Sequence, residues 1–83
     1  MKRVPPETAI IGSNLRRLRE KACLSQREAA QALGVSFQQV QKYETGSNRL
    51  PAEKLYLLKH LYDAPYSQFY AGFEKFVAPR YRA

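Results

Sequence analysis

Two helix-start signals stand eleven residues apart in this chain, and no other feature restricts its fold so strongly. Ser25 precedes Glu28 by three residues, and Ser36 precedes Gln39 by the same interval. In that spacing the hydroxyl takes the backbone N–H three residues on, while the longer side chain reaches back to the cap's own N–H. Gly34 lies between the two signals, and glycine is the residue that most easily adopts the left-handed conformation ending a helix. The segment therefore predicts a short helix, a tight turn and a second short helix.

The rest of the chain reads as helices around that unit. Ile11, Leu15, Leu18 and Ala22 fall on one face of a first helix ending near Ala22, with Arg16, Arg17, Glu20 and Lys21 opposite. Gly12 is expected to weaken its first turn. Adjacent prolines predict an extended arm over residues 1–8, so residues 1–9 are set apart as a basic arm. Gly46 closes the third helix, and Ser47-Asn48-Arg49 forms a polar loop. Pro51 suits the first turn of a fourth helix with Leu55, Leu58 and Leu61 or Tyr62 buried. Asp63-Ala64-Pro65 breaks it and opens a short fifth helix anchored by Phe69. The expectation is one all-α domain over residues 10–72, a compact bundle of five short helices, with an aromatic and basic tail over 73–83.

Eighty-three residues sustain a single modest core. Taken as a whole, the chain is expected to have no room for a sensing or catalytic domain beside this one. Its net charge of +7 at 25% charged residues is an excess of sign, which points to a polyanionic partner. Cys23 is the only cysteine, so no internal disulfide is possible; it is expected to pack as a small apolar residue. The N-terminus lacks the apolar stretch of a signal peptide, and a cytoplasmic location is expected.

Helices crossing around a tight turn need a small residue at the crossing, a glycine in the turn and apolar residues locking the second helix. Ala30, Gly34, Val35 and Val40 supply these at mutually consistent spacing. With that set complete, LSQREAAQALGVSFQQVQKYETGSNRLP resembles the helix-turn-helix of the phage-repressor and Cro type, also called the xenobiotic-response-element family. IGSNLRRLRE resembles that family's first helix and LYDAPYSQFY its closing turn and fifth helix. The resemblance implies a lambda-repressor-like fold, with helices 2 and 3 forming the motif, and a partner in double-stranded DNA.

With Val40 and Tyr43 inward, Phe37, Gln38, Gln41 and Lys42 are expected to face out from the third helix. Such recognition helices present their N-terminal residues to base edges in the major groove. Glutamine pairs two-pronged with adenine, lysine donates to guanine, and an apolar side chain touches the thymine methyl. Gln38 and Lys42 lead as base readers; for Gln38 and Gln41 the alternative is a solvated polar face. The resemblance places Gln26 on a phosphate at the start of the second helix, and Ser47, Asn48 and Arg49 against the backbone. Arg16, Arg27 and Lys54 are weaker phosphate candidates, since a charge on a small helix is usually just solvated; of these Arg27 is kept in the phosphate-binding set. Arg19 and Glu44 match a family position pair that forms an ion pair inside the domain.

No catalytic or metal-binding pattern competes: His60 has no second histidine or cysteine at ligand spacing, and no cofactor is implied. The expected function is a sequence-specific transcriptional regulator, a repressor acting as a homodimer on a palindromic operator. The alternative is the antitoxin of a toxin–antitoxin pair, which binds DNA and a toxin partner. An interaction adaptor without DNA binding is a third reading, against which Lys42, Arg49 and the charge balance stand. The rings of Tyr62, Tyr66, Tyr70, Phe73, Phe76 and Tyr81 either supply the dimer contact or cover the monomer's own core. Lys2 and Arg3 reach into a groove or lie free.

Overall fold

Helix α1 opens at Pro6 and runs Pro6–Lys21. It is followed by α2 (Gln26–Leu33), α3 (Phe37–Thr45), α4 (Ala52–Leu61), α5 (Tyr66–Phe69) and a closing 3-10 turn, Phe73–Phe76. The structure is a computed structural model that describes residues 4–76. Lys2, Arg3, Tyr81 and most of the 73–83 tail therefore lie outside the described residues, as does the side chain of Phe76. The chain is all-α, with five helices packed around one core, α1 against α3 and α5, and α2 against α3 and α4.

Residues 6–8, expected in the extended arm, belong to α1, as does Ala9 of the 1–9 segment set apart as a basic arm. Pro6 needs no N–H in the first turn and its ring presets the helical φ, so the proline starts the helix instead of preventing it. The α1 stripe buries Leu15 and Leu18 completely, with Ile11 and Ala22 packed at its margin. They meet Ala29, Ala30, Leu33, Val40, Tyr43, Leu58, Tyr62, Ala64 and a fully buried Phe69. Pro51 stands just ahead of α4 as its N-cap, without a side-chain cap bond.

Tertiary contacts explain residues whose part no local pattern reveals. Asn14 is buried on α1, and its Nδ2 donates to the carbonyls of Phe69 (2.9 Å) and Ala71 (3.0 Å), satisfying the end of α5. Arg17 donates to Asn14 Oδ1 and to the Gln68 carbonyl, binding the same two elements. Cys23 is exposed, not packed as expected, because it sits at φ 60 where the chain leaves α1. Leu24 N–H donates to Arg19 O and Cys23 N–H to Glu20 O, the pairing of a left-handed helix stop. The same pair of bonds recurs after α2 around Gly34 and after α4 around Asp63 at φ 50.

Of the rings proposed for a dimer contact, Tyr62 is core and Phe73 half-buried, while Tyr66 and Tyr70 are exposed. Tyr56 and Leu57 on α4 add exposed apolar surface that the helical spacing does not single out. No helix among the described residues is long and apolar enough to cross a membrane.

Candidate nucleic-acid interface

The two caps set where α2 and α3 begin. At Ser25 the box is complete: Oγ accepts from Glu28 N–H (3.0 Å) and Glu28 Oε1 accepts from Ser25 N–H (2.8 Å). Those bonds to its charged form hold the Glu28 carboxyl below its ordinary range, the Ser25 backbone bond contributing most. At Ser36 the hydroxyl accepts from Gln39 N–H at 3.1 Å, without a return bond from the Gln39 side chain. Gly34, at φ 70, turns the chain between them, and Val35 N–H closes back onto Ala30 O. Ala29 and Ala30 are both buried on α2, which packs against α3 and α4.

The inward side of α3 is Val40, Tyr43 and Glu44. Gly12 lets α1 approach the end of α3 closely: a Cβ at that position would lie 2.7 Å from the Tyr43 carbonyl oxygen. Glu44 accepts from Arg19 Nε (2.7 Å) and Nη2 (3.2 Å), a two-pronged pair whose side chains are 11% and 4% exposed. Arg19 Nη1 also donates to Leu24 O (2.8 Å), tying the α1–α2 turn to the same group. The Glu44 hydrogen bond raises the Arg19 guanidinium further above its ordinary value, against burial. Gln26 Nε2 donates to Glu44 Oε1 at 3.0 Å, so one amide hydrogen of the residue assigned to a phosphate is already used within the protein.

Outward, Gln38, Gln41 and Lys42 are exposed and form one continuous polar face with Thr45. Phe37, expected on that face, is half-buried and packs on the core, because residues 37, 40 and 44 share one helical stripe. Its ring lies under the Arg27 guanidinium, 4.3 Å from centroid to Cζ. Beyond α3, Ser47 Oγ shares a hydrogen bond with Thr45 Oγ1 (2.6 Å), and Asn48 N–H donates to Lys42 O. This brings the exposed loop Ser47-Asn48-Arg49 back beside the end of α3.

Charge divides by location. Arg16 pairs with Glu20 at 3.3 Å, Arg17 is held by Asn14 and Gln68, and Arg19 by Glu44. Lys54, a weaker phosphate candidate, donates to the Leu33 carbonyl at the end of α2 (3.1 Å). The side chains of Arg27, Lys42 and Arg49 have neither an ion pair nor a hydrogen bond among the described residues. The lone acid of α3, Glu44, is neutralised inside. The outer side of α2 and α3 thus combines amide and cationic groups with no opposing carboxylate on α3. Among the described residues no three histidines, cysteines, aspartates or glutamates are grouped to hold a metal.

Two helices joined by a left-handed turn, the second exposing a polar cationic face, define a helix-turn-helix protein. A model of the family described as "Helix-turn-helix domain" matches residues 10–67, and the chain belongs to that family. An uncharacterized transcriptional regulator in the ATPase CF(0) region of Rhodospirillum rubrum is 39% identical over 67 residues, 81% of this chain and 62% of that protein. An uncharacterized HTH-type transcriptional regulator of Sinorhizobium medicae is 38% identical over 60 residues, 72% of this chain and 43% of that one. The chain thus spans 62% and 43% of the lengths of these two relatives. In fold alone it is similar to the clp gene regulator ClgR of C. glutamicum, with a TM-score of 0.74 at 24% identity, over 90% of this chain and 97% of that one.

Proposed function

We propose that the chain acts in the cytoplasm as a sequence-specific transcriptional regulator of the phage-repressor type, laying α3 in the major groove of double-stranded DNA. The observation that carries this reading is the exposed face of Gln38, Gln41 and Lys42, on a helix whose only acid is locked inward. Gln38 and Lys42 address base edges, adenine and guanine respectively, and Gln41 extends the reading face. Arg27 and Arg49 take backbone phosphates, with Ser47, Asn48 and the remaining amide hydrogen of Gln26 as neutral donors. Such contacts fix register and affinity, and the base contacts carry the sequence choice. The names of the Rhodospirillum and Sinorhizobium relatives support regulation as the purpose of binding.

One motif makes few base contacts, each contributing about 1–3 kcal/mol of discrimination. Specific binding therefore calls for two copies on a two-fold-related operator, with half-sites about 10 base pairs apart. Occupancy of such an operator represses the adjoining promoter. Selection from a randomised duplex library tests the reading. A two-fold-symmetric enriched motif is expected, and a library that stays unenriched at low ionic strength overturns it.

A further inference from the structure

Arg27 is placed where a helix gains nothing from a cation. It is the second residue of α2, at the positive end of the helix dipole, where acids stabilise and bases do not. The neighbouring acid is withdrawn from it, since Glu28 turns its carboxylate back onto Ser25 N–H at 2.8 Å. What does hold the guanidinium is the ring of Phe37, the first residue of α3, 4.3 Å away across the turn. A cation held over a ring face makes no hydrogen bond there, so the guanidinium keeps its five N–H donors. None of those donors is used within the described residues. Phe37 in turn is half-buried and packs against the core.

We propose that Phe37 is a positioning residue that acts on DNA through Arg27: its ring is the platform that presents the guanidinium to a backbone phosphate. Phe37 then governs affinity for any sequence and reads no base. The inference rests on the DNA-binding reading above and reassigns Phe37 within it. Its physical content is preorganisation. A free arginine at an exposed site loses rotamer freedom when it takes up a phosphate, whereas a stacked one has lost much of it beforehand.

The test is fluorescence anisotropy on the library-selected duplex and on a scrambled duplex of equal length, over a range of salt. Arg27→Gln is expected to lower the slope of log affinity against log salt by about 0.9, one phosphate's share, on both duplexes. Phe37→Leu, which keeps apolar volume and removes the ring, is expected to weaken both duplexes equally, by severalfold. In the double variant Phe37→Leu adds no further loss to Arg27→Gln. Arg27→Lys, which keeps charge on an exposed side chain but replaces the broad guanidinium over the ring with a compact, strongly hydrated ammonium, is expected to match Phe37→Leu, so the inference is tested even if the leucine variant fails to fold. A loss confined to the selected duplex, multiplicative losses in the double variant, or wild-type affinity in Arg27→Lys would overturn the assignment. Failure of the wild type to bind either duplex sinks the DNA-binding reading and this inference with it.

Discussion

Gly12 lies with its Cα against the backbone of Glu44, so close that a Cβ would stand 2.5 Å from the Glu44 carbonyl oxygen. The contact is backbone on both sides, and neither helix can relieve it by changing a rotamer. Gly12→Ala gains about 1 kcal/mol of helix propensity in principle. We expect it instead to destabilise the domain by about 1–3 kcal/mol, as overpacking does. Urea unfolding measures the difference, and a stabilised variant would show that α1 and α3 do not approach so closely.

Glu44 is also the acceptor for Arg19 and Gln26, so one carboxylate holds α1, α2 and α3 together. Removing either charge strands the other in a buried site. Arg19→Ala or Glu44→Ala is expected to cost about 3–5 kcal/mol. Arg19→Ala combined with Glu44→Ala is expected to cost less than the sum of the two single losses. Strict additivity in a double-mutant cycle would mean that the pair is not coupled.

Cys23 and Asp63 occupy left-handed positions, φ 60 and φ 50, that glycine adopts without strain. Cys23→Gly relieves a conformational cost of about 1–2 kcal/mol, partly offset by the greater freedom of the unfolded chain. A net gain of about 0.5–1 kcal/mol is expected, visible as a higher Tm. Asp63→Gly is expected to act in the same direction. A fall in Tm at both sites would contradict the backbone account.

These residues show what local chemistry reveals and what it hides. Ser25, Glu28, Gly34 and Ser36 act on neighbours within a few residues, so the motif is readable from spacing alone. Pro6 misleads because proline both breaks and begins helices, and the residues after it decide which. Gly12 reads as a weak point in sequence, since its reason lies on α3. Asn14 gives no signal, because its partners are 55 and 57 residues away. The half-burial of Phe37 is legible in principle from the 37–40–44 stripe. Its pairing with Arg27 is not, because that contact crosses two helices.

Burial pushes the Tyr62 phenol well above its ordinary 10.0, with the Glu44 charge raising it further and Arg19 opposing. The folded state therefore holds this proton more tightly than the unfolded chain. The resulting stability is intact below pH 10.0 and declines as pH rises above that value, where the unfolded phenol ionises first. Tyr62→Phe has no such group and is expected to lose less stability between about pH 9 and about pH 11. Parallel alkaline limbs for the two proteins would contradict this.

The central claim is that the outward side of α3 meets base edges, and anisotropy titrations of Gln38→Ala and Lys42→Ala test it most directly. On the selected duplex each is expected to lose about tenfold or more, within the 1–3 kcal/mol of one good base contact, while binding to scrambled DNA changes far less. Arg49→Ala, as the phosphate control, is expected to weaken both duplexes alike and to flatten the salt dependence. Equal losses on both duplexes for Gln38→Ala and Lys42→Ala would contradict the account.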